Sequence, residues 1–182
     1  MKRALVCAVL LAAPIRVTAA ENPRAARAAL VVIEKDFNGR IERYNIDDPF
    51  LLLGATRGVY LEGYGAVFTA EVNLVAGPVI SPFRPTISKE EIAKLRQKKL
   101  SRLPVLKQIM RDLLVNSAAT LETVSPNEQI VVGVSLFYFS WEDSTGLPSQ
   151  ILMQADRKAL LPTQAGRLDR AALDSVIRTQ EF

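Results

Sequence analysis

The stretch from Gln129 to Ser140 constrains the fold more than any other part of the chain. Ile130, Val132, Val134, Leu136 and Tyr138 alternate with Val131, Gly133, Ser135, Phe137 and Phe139, so the period is two and both faces are largely apolar. A strand of this kind belongs inside a sheet, covered on two sides, or at an interface between chains. The rest of the sequence therefore has to supply neighbouring strands and an apolar layer to pack on them.

Neighbours are legible on both sides of it. Phe68, Ala70, Val72 and Leu74 alternate with Val67, Thr69, Glu71 and Asn73, and Arg57 to Glu62 reads as a partner strand. Between them Gly63-Tyr64-Gly65 supplies glycines able to take positive φ, which predicts a hairpin. Downstream, a polar loop with Asp143, Ser144, Gly146 and Pro148 leads to a shorter strand over Gln150 to Ala155.

Helices frame these strands. Asn22 and Pro23 suit an N-cap and first helical position, and Leu30, Ile33, Phe37, Ile41 and Tyr44 form one apolar stripe, so a helix is predicted over residues 23–44. It runs through Asn38-Gly39, a pair that by itself reads as a helix end. Ser88-Lys89-Glu90-Glu91 fits a capping box and opens a second helix to about Ser117, which Pro104 is expected to kink or split near Leu103. Short helices are predicted after Asp156 and from about Leu168 to Ile177. The expected fold is α+β, one domain, with a mostly antiparallel sheet of about four strands in two hairpins.

The N-terminus follows the export pattern. Lys2 and Arg3 precede an apolar run from Ala4 to Ala13, and cleavage after Ala19 or Ala20 fits the small residues there. Pro14 and Arg16 stop the run well short of a membrane span, and no later stretch is long enough. The expected domain is therefore residues 21–182, exported to the periplasm or the cell exterior. Of the 23 Lys and Arg, Lys2, Arg3 and Arg16 leave with the signal, so the remainder nearly balances the 19 Asp and Glu. Near-neutrality gives no reason to expect nucleic acid as a partner.

Residue inventory then removes whole chemistries. Cys7 goes with the signal and His is absent, which excludes disulfides, thiolate nucleophiles, serine–histidine triads and histidine-ligated metals. Trp141 to Gly146 gathers oxygen ligands, but its spacing does not match a calcium loop, so neither a metal nor another cofactor is expected. Carboxylate pairs remain open to an enzyme acting on a glycan, with Glu62, Glu71, Glu142 and Asp143 the acids nearest strands or loops.

Two groups of residues stand out as candidate binding sites. The second helix carries Lys89, Lys94, Arg96, Lys98, Lys99, Arg102, Lys107 and Arg111 against few acids, and its other face is apolar. Lys94, Lys98, Lys99 and Arg102 are thus expected to meet an envelope protein or an anionic surface. On the hairpin, Arg57, Tyr60 and Tyr64 offer ring stacking and, with Glu62, a charged frame for a sugar or peptide. The inventory favours a binding or assembly domain of the cell envelope without catalytic activity, with a small carboxylate-dependent glycan enzyme as the alternative.

Overall fold

The structure is a computed structural model that describes residues 23–78, 80–83, 86–164 and 170–182. The signal segment 1–20, the expected cap Asn22, Pro85 and the expected helix start at Leu168 lie outside the described residues. In chain order the elements are α1 (Pro23–Arg43), β1 (Leu51–Leu52), β2 (Arg57–Leu61), β3 (Gly65–Asn73), α2 (Lys89–Thr120), β4 (Gln129–Leu136), β5 (Gln150–Asp156), α3 (Arg157–Gln164), α4 (Arg170–Val176) and β6 (Arg178–Glu181).

The chain is α+β, and its sheet is mixed rather than mostly antiparallel. The order is β1-β3-β4-β5-β6, with β2 also on β3. Both expected hairpins form: β2 runs antiparallel to β3, and β4 antiparallel to β5. The correction concerns how they join. β3 and β4 lie parallel, Gly65 against Gln129 through Val72 against Leu136, and α2 is the crossover that a parallel pair needs. The strand count also rises from about four to six, because β1 and β6 add short edges.

One face of the sheet carries the core. Ala66, Phe68 and Val72 of β3, Ile130, Val132 and Val134 of β4, and Ile151 and Met153 of β5 are buried with Ile33, Phe37 and Ile41 of α1 and Leu106, Met110 and Leu113 of α2. The alternate positions Thr69, Glu71, Ser135 and Gln150 are exposed. The second face of β4 is buried at Val131 and Gly133 and opens at Ser135, while the helical core residues lie on the first face. Val131, 3 % exposed, stands between its cross-strand neighbours Val67 and Gln154. β4 also ends at Leu136 rather than Ser140: the Phe137 N–H still donates to the Val72 carbonyl at 3.0 Å, and the residues after it turn away.

Local signals explain the helices. Ser88 Oγ accepts from the Glu91 N–H at 3.2 Å while the Ser88 N–H donates to Glu91 Oε2 at 3.1 Å, the predicted capping box. α2 continues through Pro104 without splitting. Pro104 is exposed, where water can satisfy the carbonyl that its missing N–H leaves over. At the other end of α2, Arg157 donates to the carbonyls of Ala118 and Val124 at 2.8 and 2.9 Å, a buried guanidinium closing the helix terminus.

α1 does more than cover the core, since it also occupies the edge of β2. The Gly58 N–H donates to Glu34 Oε1 at 2.7 Å, Arg27 donates to the Gly58 carbonyl at 3.0 Å, and the Thr56 N–H donates to Asn38 Oδ1 at 3.1 Å. Arg27 in turn donates to Glu34 through both terminal guanidinium nitrogens. These side chains take the backbone groups that another strand would pair with, which blunts the edge. Replacing Glu34, only 7 % exposed, with alanine is expected to cost about 2–3 kcal/mol, since a charged hydrogen bond is lost and the Gly58 N–H is left over. Denaturant unfolding reads the loss and light scattering reads the expected self-association. A variant as stable and monodisperse as the parent contradicts the edge role.

Candidate functional site

The basic residues of α2 turn out to be largely committed within the chain. Lys98 Nζ lies 2.7 Å from Asp48 Oδ2, and Arg102 donates to the Asp48 carbonyl at 2.6 Å with its Nη1 3.1 Å from Asp48 Oδ1. The latter contact is an ion pair too skewed to count as a hydrogen bond. Arg96 donates to the Thr145 carbonyl at 2.7 Å and faces Asp143 at 3.6 Å, Lys107 meets Glu181 at 2.6 Å, and Arg111 meets Asp174 at 3.0 Å. Lys99 pairs with Glu142 at 2.5 Å. Six of the eight cations therefore bind acids contributed by the Asp48 loop, the 137–149 loop, α4 and β6, and α2 serves as the spine to which those segments are tied.

Two of the four candidate residues on this helix are inside the protein. The Lys99 side chain is 0 % and Arg102 8 % exposed, whereas Lys94 and Lys98 face solvent. Arg102 packs its guanidinium over Phe50, 4.4 Å from the ring centroid, and near Tyr44 at 5.9 Å. Lys99 donates to the Phe137 carbonyl at 3.3 Å and sits 4.8 Å from the Tyr138 ring centre, and Glu142 accepts from the Phe139 N–H at 3.2 Å. This cluster lies where Tyr138 to Ser140 leave the sheet, while the Phe137 N–H still donates to the Val72 carbonyl of β3 at 3.0 Å. Burial holds the Lys99 ammonium below its ordinary pKa although Glu142 opposes the shift. The hydrogen bond from Lys98 holds the Asp48 carboxyl low, with the nearby Arg102 charge adding to it.

The hairpin candidates do not converge either. Arg57 is in register with Thr69 and Leu61 with Gly65, which puts Arg57 about 13 Å along the strand from the turn that holds Glu62 and Tyr64. The charged frame expected of Arg57 and Glu62 is thereby absent. The Tyr60 hydroxyl donates to Glu128, 3.1 Å from each carboxylate oxygen, and Glu128 also accepts from the Gly63 and Ser125 N–H groups at 3.0 Å. Tyr60 thus fastens the hairpin turn to the turn before β4. Glu128 is the residue that sequence reasoning missed, and only its spacing from Ser125 hinted at a local bond.

The acids that a glycan enzyme would use are scattered. Glu142 is buried against Lys99, Asp143 is an exposed partner of Arg96, Glu71 stands on the open sheet face, and Glu62 is on the hairpin turn. Bonds from the Thr145 hydroxyl and N–H, with Arg96 as a smaller cause, keep the Asp143 carboxyl low. The described residues contain no group of three or more Asp, Glu, Cys or His able to hold a metal ion, and no helix among them is long and apolar enough to cross a membrane.

What remains uncommitted is the second face of the sheet. Leu53, Val59 and Leu61 are 39, 50 and 46 % exposed along its β1–β2 side, beside the row formed by Val67 and Val131. Phe182, 64 % exposed, flanks the far side next to Gln150. Around them stand Thr69, Ser135 and Gln154, and the charges on this face balance, Arg57 and Arg178 against Glu71 and Asp156. Comparison with protein-family models, with curated proteins and with solved structures finds no match, so the functional reading of this chain rests on its own residues.

Proposed function

We propose that the chain is exported, losing residues 1–20, and acts as a binding or assembly domain of the cell envelope, in the periplasm or outside the cell, that takes a protein partner on the open face of its sheet. The observation that carries this reading is the half-exposed row Leu53, Val59 and Leu61 on the sheet face opposite the helical core residues. An apolar strip ringed by hydroxyls, amides and balanced charges matches the make-up of a protein–protein interface. It offers little to an anionic lipid or polymer, which would need a surplus of cations.

The basic helix loses support as the docking element, because most of its cations already have carboxylates. The glycan enzyme loses support as well, since its candidate acids do not face one another. A photo-crosslinking residue placed at Val59 or at Lys94 in intact cells tests the choice of surface, and mass spectrometry of the N-terminus tests export. The expected result is one protein adduct from Val59 that disappears when Leu61 is changed to aspartate, on a chain starting after Ala19 or Ala20. Adducts from Lys94 but not Val59 would return the site to the helix, and a chain that keeps Met1 would end the export reading.

A further inference from the structure

A second site, independent of the sheet face, lies between α1 and α2. The two helices pack against each other and leave a groove of about 500 Å³ lined by Lys35, Asp36, Gly39, Arg40, Arg43 and Tyr44, with Ile109 of α2 as the opposite wall. On α1 these residues form two adjacent rows at four-residue spacing, Lys35-Gly39-Arg43 and Asp36-Arg40, with Tyr44 just past the helix end. Gly39 is the gap in the first row. It sits inside the helix, four residues before the last, where glycine costs about 1 kcal/mol relative to alanine.

Its backbone does not need that freedom, because its φ is not positive. Its missing side chain is what matters: a Cβ there would stand 2.9 Å from Arg43 Nη2 and 3.5 Å from Arg43 Cζ. The Arg43 guanidinium therefore lies back along α1 across Gly39, into the groove, as the direction of helical side chains favours. Arg40 holds Asp36 at 2.9 Å, which neutralises one charge of each sign. Lys35 and Arg43 meet no carboxylate among the described residues, whereas the central helix pairs six of its eight cations. Tyr44 closes the end of the groove, its ring fixed by stacking on Phe50 at 5.0 Å.

We infer that this groove binds a small phosphate-bearing molecule, with the fork of Arg43 and the ammonium of Lys35 on the phosphate oxygens and the Tyr44 ring beside the rest of the ligand. Two unpaired cations outweigh the negative end of the α1 dipole, which amounts to about half a charge. Pyrophosphate is the probe and citrate the comparison, each titrated into the purified protein while backbone amide NMR signals are followed. Saturable shifts at Gly39 and Tyr44 are expected with pyrophosphate in the range of about 1 mM or tighter, weakened at least about tenfold in Arg43→Gln, weakened also in Lys35→Gln, and unchanged in Lys94→Gln.

A stronger response to citrate would replace phosphate by carboxylate as the ligand chemistry and overturn the phosphate assignment. Absence of saturation with either anion overturns the site. So does equal binding by Arg43→Gln, and if that variant also melts lower, Arg43 serves only to stabilise the end of α1. Lys35→Gln keeps the test open if Arg43→Gln fails to fold, because Lys35 is an exposed position in the body of α1.

Discussion

Gly65→Ala is expected to cost more than about 4 kcal/mol and to leave much of the protein unfolded under ordinary conditions. Gly65 has φ 133°, and a Cβ there would fall on the Gln129 backbone, nearest its carbonyl oxygen and 2.7 Å from its nitrogen. No rotamer relieves a clash between two backbones. The strands would have to separate at the first pair of the parallel ladder, where the Gln129 N–H also donates to the Tyr64 carbonyl at 2.9 Å. Gly63→Ala is the control, since Gly63 also has positive φ, 76°, but a Cβ there would meet nothing within 4 Å. It should cost only the backbone strain, about 1–2 kcal/mol. Denaturant midpoints compare the two, and equal losses would show that conformation rather than the close approach of β4 sets the need for glycine.

Lys99→Met should cost about 3–5 kcal/mol, because it leaves the Glu142 carboxylate, 2 % exposed, without its counter-charge. Adding Glu142→Gln should recover at least about 2 kcal/mol of that loss, since the amide keeps an acceptor for the Phe139 N–H and carries no charge. A double variant no more stable than the single one would mean that the pair acts through packing instead. The same cluster sets the alkaline limit. Burial first, and the Glu142 charge second, raise the Tyr138 pKa from 10.0 to about 12. A raised folded value means that its stabilisation is complete below pH 10 and is lost as pH climbs through 12.

With allowance for the partial exposure of Tyr138, that loss is about 1–2 kcal/mol. Lys99 acts with the opposite sign, because its lowered value makes stability rise with pH until the unfolded lysine also deprotonates near 10.5. Tyr138→Phe separates the two. It removes the hydroxyl that donates to the Pro148 carbonyl at 2.7 Å, and it should flatten the decline between pH 10 and 12. A decline that survives the substitution assigns it to other groups.

The parts of this fold that were legible in the sequence are those whose cause is local. The capping box at Ser88, the glycine turn at 63–65 and the alternation in β3, β4 and β5 each depend on neighbours a few residues away. The parallel join of β3 to β4 was not legible, because alternation fixes which face a residue takes but not which strand lies beside it. β1 has two residues, and β6, Arg-Thr-Gln-Glu, is exposed throughout, so neither has a hydrophobic period to read.

The candidate site was legible only in part, and the reason lies in particular residues. Lys99 stands four residues after Leu95 and four before Leu103, in the middle of the apolar stripe of α2, so its burial could have been read from spacing. Its partner Glu142 could not, being joined to it only through the turn after β4. Tyr60 and Arg57 looked adjacent because they are close in sequence. One is bonded inward to Glu128, and the other is an exposed position at the far end of its strand.

The parallel pairing also dictates when the centre of the sheet can be completed during folding. β2 and β3 close through a three-residue turn, whereas the second edge of β3 finds its neighbour only after all of α2 and the start of β4 have been made. Pairings so far apart in sequence form slowly. Until then the edge of Gly65–Asn73, with Phe68 and Val72 beside it, is an open template of the kind that captures other chains. A nascent or truncated chain ending before Gln129 keeps that edge open, so the strand that ends up most enclosed is the one most in need of protection while the polypeptide is incomplete.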